Sequence, residues 1–311
     1  MAATGKVLLV VRREVRLLRR SRATLGAVVL LASVAWLPAI LLPLRRGSLG
    51  VASFTEMLPL QIALEAVILP LLALLAGAEL FAGELEDGSL VPALTLPISR
   101  RAFFAGKCLG RAATLGAAYL AAFASAGLAV AVAQGSTGWK DWAVVTVAGL
   151  LVSLSTGGIG AALGAGGSGR VRAFGAALVT WIVLVFALDA LLLTVLVALA
   201  PPPPDSIGEH GHGEVAAPGT EMPIHDPHAG EAEPDRPKSG ALSGRLMASS
   251  PVSLFRLTSL AASPELRPRL ALALPGGTGA ALWTTVIAGW LFWLVAPLAA
   301  GLRWFLRADL S

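Results

Sequence analysis

Six apolar runs set the organisation of this chain. They occupy 25–44, 58–80, 112–133, 142–163, 174–199 and 282–302. Each is long enough, at 1.5 Å per helical residue, to cross roughly 30 Å of hydrocarbon. The pattern predicts an all-α, polytopic membrane protein with six transmembrane helices. Ahead of the first run, residues 6–22 read KVLLVVRREVRLLRRSR, with Val7, Val11, Val15 and Leu18 on one helical face and arginines on the other. This predicts a helix lying in the membrane interface, its basic face towards anionic headgroups. A plain basic flank of the first span is the simpler alternative. The first run exceeds the h-region of about 7–15 residues of a cleaved secretory signal and reads as an uncleaved span.

Composition agrees with that pattern. Of 311 residues, 56% are hydrophobic and only 14% charged, against about a quarter charged in a soluble domain. The net charge of +5 is gathered at the ends of apolar runs, which fits membrane topology and argues against nucleic-acid binding. Alternate inter-span segments are the richer in Lys and Arg: the N-terminus, the loops around Arg100 and Arg170, and the C-terminal tail. The positive-inside rule places these on one side, with both termini cytoplasmic and the chain in the cytoplasmic (inner) membrane. Cys108 is the single cysteine, which excludes an intrachain disulfide and any multi-cysteine metal site.

Between the fifth and sixth runs lies a long extracytoplasmic segment, 201–281, that opens on PPPPD and is rich in Pro and Gly, a composition that predicts disorder over most of it. Two stretches within it, 250–262 and 264–274, read as short amphipathic helices on the outer membrane surface. The chain therefore divides into an interfacial helix over 1–24, five spans over 25–200, the His- and Pro-rich loop over 201–281, and the sixth span with its tail over 282–311. All four histidines, His210, His212, His225 and His228, fall in that loop with Met222 among them. Imidazole suits copper, nickel and zinc, and a thioether suits Cu(I), so the cluster is a candidate copper site. The alternative is a solvated linker, since a flexible segment lacks the supporting contacts that hold ligands in structural sites.

The most informative stretch is 79–111, reading ELFAGELEDGSLVPALTLPISRRAFFAGKCLGR. Glu84, Glu86 and Asp87 close the second span on an acidic run, and Gly88 and Ser89 break it. A short apolar stretch, 90–96, follows, and Pro97 and Ser99 stand where a helix N-terminus favours them. This segment resembles the coupling region of ABC transporter permeases of the ABC-2 class. The elements that carry the resemblance are Glu84, Glu86, Gly88 and Ser89, then Leu94, then Leu96, Pro97, Ile98, Ser99 and Arg100, then Gly106 and Lys107. The N-terminal helix, with Glu14 among arginines, is similar to that family's elbow helix.

The resemblance implies that a coupling helix at about 84–100 docks on a separate ABC ATPase and transmits its closure to the spans, with ATP–Mg on the partner and no cofactor in this chain. It also implies a homodimer. The residues agree that the motor is elsewhere, because no G-x-x-x-x-G-K-[ST] loop occurs; Ala105, Gly106 and Lys107 come nearest and lack both the leading Gly and the Ser/Thr. A narrower resemblance is to the NosY permeases, which serve copper processing in nitrous oxide reductase maturation. It rests on Trp181, the mid-span Asp189 and a leucine run in the fifth span, then Pro251 and Arg256, with Ser250 where that family has Asn. It implies a periplasmic partner protein.

Two carboxylates fall inside spans, Glu65 and Asp189. An intramembrane acid is costly and is read by default as functional, here as part of a translocation path; a protonated acid bonded to a neighbouring helix is the plainer reading. Glycines crowd 157–167, with Gly160 and Gly164 at the spacing that permits close helix contact, either at a subunit seam or within one subunit. Trp283, Trp290, Trp293 and Trp304 lie in or beside the last span, those near its ends as interfacial anchors. No catalytic set stands out, and the expectation is a non-enzymatic permease. An exporter of a drug, lipid or polymer would use the same coupling loop, and a metal sensor or intramembrane enzyme is the alternative from another class.

Overall fold

The computed structural model describes residues 3–19, 21–89, 98–166, 169–188, 190–191, 194, 248–263 and 280–307. Among them there is no strand. The helices are α1 (Ala3–Arg19), α2 (Arg22–Arg45), α3 (Phe54–Glu86), α4 (Arg100–Gln134), α5 (Trp139–Ala165), α6 (Arg170–Ile182), α7 (Pro251–Ala262) and α8 (Ala280–Arg307). A π-helical segment, Val183–Ala187, prolongs α6. Six helices, α2 to α6 with this extension and α8, are long and apolar enough to cross a membrane. The predicted loop helix over 264–274 lies outside the described residues.

The helices overshoot the apolar runs at the end that carries α1. There α3 continues to Glu86 and stops where Gly88 turns left-handed at φ +67°, a conformation only glycine adopts without strain. The next helix starts twelve residues before the apolar run that marks it, because Ser99 Oγ accepts the Ala102 N–H at 3.3 Å and caps it. At the opposite end the connections fold back on the spans. The Ala52 N–H reaches the Ala39 carbonyl at 2.9 Å, and Gln134 Nε2 donates to the Val51 carbonyl at 2.8 Å.

The core of the bundle is the pair α3 and α5. A Cβ on Gly160 would overlap the Leu74 carbonyl, one on Gly164 the Ala78 carbonyl, and one on Gly77 the Gly157 carbonyl. Backbone therefore meets backbone along the facing halves of the two helices. The glycine spacing serves packing within one chain, as small residues do wherever apolar lipid removes the hydrophobic incentive to associate.

Helix α1 is not merely laid on a lipid surface. Val10, Glu14 and Leu18 are buried, with Val7, Val11 and Val15 half-buried beside them, while Leu8, Leu9 and Leu17 point outwards. The packed face runs one residue round from the predicted stripe, because it seats on α4 at two glycines. A Cβ at Gly106 would stand 2.6 Å from Val10 Cβ, and one at Gly110 2.7 Å from Glu14 Cβ.

The segment 250–262 departs further from expectation. As α7 it is not spread on an outer surface but inserted among the ends of α3, α5 and α8, with Val252, Leu254, Phe255 and Leu257 fully buried. Its hydroxyls are what made it look amphipathic, and burial is tolerable because most of them find partners, Ser259 Oγ being the exception. Thr258 Oγ1 donates to the Leu254 carbonyl at 2.7 Å and receives Trp290 Nε1–H at 3.1 Å. Ser263 Oγ donates to Asp141 Oδ2 at 3.0 Å, and Trp293 Nε1 to the Ala248 carbonyl at 3.1 Å. Trp290 and Trp293 thus hold α7 in place, whereas Trp283 and Trp304, near the ends of α8, are the exposed pair.

Candidate functional site

The most densely charged place in the described residues is a collar at the end of the bundle that bears α1, around the root of the segment 79–111. Lys107 on α4 is buried, 3% exposed, and pairs with Glu84 on α3 at 2.7 Å. Its ammonium also lies 4.0 Å from Glu14 on α1 and over the rings of Phe81 and Phe103, 5.5 and 5.7 Å from their centroids. Such a cation is held three ways, by a carboxylate, a second carboxylate and two aromatic faces.

One turn along α4, Arg111 pairs with Glu14 at 3.5 Å and with Glu79 at 3.9 Å. Glu79 also lies 3.7 Å from the guanidinium of Arg170 on α6. That guanidinium crosses α3 above Gly83, where a Cβ would stand 3.0 Å from it. Glu86 then accepts the backbone N–H of Arg170 at 2.9 Å, a carboxylate at the positive end of α6. The charges therefore run without a gap from Glu84 through Lys107, Glu14, Arg111 and Glu79 to Arg170, tying together α1, α3, α4 and α6.

Behind the collar is an aromatic knot. Phe81 stacks on Phe104 at 5.0 Å, and Phe305 of α8 contacts Phe81, Phe103 and Phe104 with centroids 5.1 to 6.2 Å apart. Val10 of α1 packs into the same cluster. Charge on the rim and rings within make this end stiff, since α1, α3 and α4 are anchored by both non-directional packing and directional ion pairs, with α6 joined through charge and α8 through rings.

The predicted site residues divide accordingly. Glu84 and Glu86 belong to the collar. Asp87, Gly88 and Ser89 are exposed at the end of α3, and Ser99 and Arg100 open α4, also exposed. Leu94, Leu96 and Pro97, Asp189, and all four histidines, His210, His212, His225 and His228, lie outside the described residues. Glu65 is described and is not in the collar; it is wholly buried between α3, α4 and α5. Sequence reasoning missed Glu79, Arg111 and Arg170 as partners, along with the aromatic knot. The Gly106–Gly110 spacing was a readable signal for the seat of α1.

Beside the collar a cavity of about 630 Å³ opens between α2, α3, α4, α5 and α8. Its walls are apolar, with Leu31, Leu69, Leu72, Leu115 and Leu298 prominent, and Arg111 and Tyr119 are among its few polar groups.

The comparisons with known proteins fit this architecture. The pattern of ABC-2 family transporter proteins matches residues 8–310, nearly the whole chain. The chain is similar to the probable ABC transporter permease protein NosY of Stutzerimonas stutzeri, 33% identical over 175 residues, which cover 54% of this chain and 61% of that one. It is also similar to the protein of the same description from Pseudomonas aeruginosa, 29% identical over 201 residues, covering 60% of this chain and 70% of the relative. The first match thus spans under two thirds of the relative's length. With six membrane-length helices and a family match from end to end, the chain belongs to the ABC-2 family of transporters, as a multi-pass permease subunit.

Proposed function

We propose that this permease sits in the cytoplasmic (inner) membrane with both termini cytoplasmic, pairs as a homodimer, and takes the stroke of a separate ABC ATPase through the segment 84–100. The observation that carries the reading is the buried Lys107–Glu84 pair at 2.7 Å, shared with Glu14 and backed by Phe81 and Phe103. A lever transmits force only if its root is rigid. Here the root of the loop is fixed at once to the helix before it, the helix after it and α1.

ATP–Mg binds on the partner, and this chain contributes force transmission and the membrane path. The likeness to the NosY permeases supports copper-site maturation of nitrous oxide reductase as the setting. The histidine loop then faces a periplasmic partner and offers His210, His212, His225 and His228 to copper. Asp189 and Glu65 are the intramembrane polar groups of such a path. A second reading, export of an apolar drug, lipid or polymer, is favoured by the apolar walls of the 630 Å³ cavity.

The test is to express the tagged permease in its native host, identify the ABC ATPase that co-purifies, and measure ATP turnover of the complex in nanodiscs. Replacing Glu86 and Gly88 should weaken assembly and turnover together. Unchanged assembly and turnover in that variant would overturn the coupling assignment. Deleting 209–228 should leave ATP turnover intact and abolish copper-dependent maturation; if maturation persists, the histidines are a linker.

A further inference from the structure

One polar cluster inside the spans has no part in force transmission. Glu65 lies on α3, roughly 16 Å along the axis from the helix start, and is fully buried. Gln61, one turn back, donates Nε2–H to Glu65 Oε1 at 3.0 Å. Tyr119 of α4 places its hydroxyl 3.1 Å from Glu65 Oε2 and 3.0 Å from the Thr146 carbonyl of α5. Gly149 closes the cluster from α5, where any Cβ would overlap both Glu65 Oε2 and the Tyr119 hydroxyl.

The hydrogens in this cluster do not suffice for its contacts. A phenol has one proton, and both of its neighbours, as a carboxylate oxygen and a peptide carbonyl, only accept. If the proton goes to Glu65, the Thr146 contact sets acceptor against acceptor. If it goes to Thr146, the Glu65 contact does, unless the carboxyl carries a proton of its own. A protonated Glu65 donating to Tyr119, with Tyr119 donating to Thr146, satisfies both. Gln61 Oε1, also buried and without a donor, shows the same surplus of acceptors.

No described cation is available to settle the deficit instead. Among the described residues Glu65 has no salt bridge, and the side chains that act on it are Gln61 and Tyr119. On α4, Arg111 is two turns before Tyr119, roughly 12 Å along the helix, and pairs with Glu14 and Glu79. Among the titratable groups of α5, Lys140 and Asp141 stand at its far end, where Asp141 holds Ser263. Glu56, earlier on α3, is paired with Arg46. On α7, Arg256 is only partly buried and has an interaction of its own.

We propose that Gln61, Glu65 and Tyr119 form a proton-binding site in the membrane interior, with Tyr119 as the shutter between Glu65 and the apolar cavity. Tyr119 lines that cavity while its hydroxyl bonds Glu65 on the other side. Moving α4 away from α3 withdraws the phenol and opens the carboxyl to exchange. Pro70, a little more than one turn beyond Glu65, lacks the N–H that would bond the Ala66 carbonyl, so α3 can bend there, as it can at Pro59 on the other side of Glu65. The site is independent of whether an ATPase drives the motion.

The experiment is infrared spectroscopy of the full-length permease in nanodiscs at neutral pH, in H₂O and after transfer to D₂O. Wild type should show a protonated-carboxyl stretch that is absent in Glu65→Gln and exchanges slowly with deuterium. Tyr119→Phe should shift that stretch and hasten its exchange roughly fivefold, the factor for one net hydrogen bond lost from the closed state. A spectrum in which wild type and Glu65→Gln are identical in this region means that Glu65 is ionised, and overturns the proposal. Unchanged exchange in Tyr119→Phe removes the shutter. Loss of the band on titration with Cu(I) or Na⁺ assigns the cluster to a metal cation and equally overturns it. If Glu65→Gln does not fold, the shift and exchange in Tyr119→Phe decide alone.

Discussion

Removing the charge of Lys107 is the sharpest probe of the collar. Lys107→Met keeps the length and apolar stem but leaves Glu84, 18% exposed, and Glu14, 8% exposed, facing a site that has lost its shared cation. Breaking a fully buried pair from one side costs about 3–5 kcal/mol. Because Glu84 reaches some solvent and Glu14 keeps Arg111 at 3.5 Å, the expected cost is about 2–3 kcal/mol. Glu84→Gln leaves Lys107 with Glu14 and two aromatic faces and should cost about 1–2 kcal/mol. In the double variant neither charge is stranded, so its cost should fall short of the sum by about 1–3 kcal/mol. The assay is denaturant titration of the purified permease in mixed micelles, reading midpoint and slope by tryptophan fluorescence. Costs that add within about 0.5 kcal/mol would refute the pairing and the rigid-root argument with it.

Other substitutions test other parts of the fold. Gly160→Ala forces a methyl against the Leu74 carbonyl and should destabilise by about 1–3 kcal/mol, whereas Gly175→Ala, which meets nothing within 4 Å, should stabilise α6 by up to about 1 kcal/mol; thermal unfolding reads both signs. Gly110→Leu should lift α1 from α4, seen as new protease cleavage near Arg12 and Arg13 without loss of the membrane-embedded core. Ser99→Ala removes the cap on α4 and should cost about 1 kcal/mol, with faster amide exchange at residues 100–103 as its signature.

The spans were legible because about twenty consecutive apolar residues have few other destinations. The start of α4 was legible too, from Ser99 at a cap position. What could not be read was which helices meet beyond the apolar runs. Residues 100–111 mix Arg, Lys, Phe and Gly, a composition that names no partner, and it is α1 that seats on them at Gly106 and Gly110. The burial of α7 was hidden for a related reason. Ser253, Thr258 and Ser259 look solvent-facing in sequence, yet a hydroxyl that bonds a carbonyl four residues back, as Thr258 does, no longer marks a wet face. Pairings such as Arg170 with Glu79 join positions far apart in the chain, and periodicity says nothing of these.

The seam between α3 and α5 has a consequence for how such a permease can move. Side chains at an ordinary helix contact can change rotamer and let two helices slide. Where Gly157, Gly160 and Gly164 seat directly on the peptide groups of Leu74, Gly77 and Ala78, there is nothing to re-pack. Along that seam these two helices form a single beam. Gears elsewhere in the bundle must turn around that beam, because it has no joint of its own along the seam.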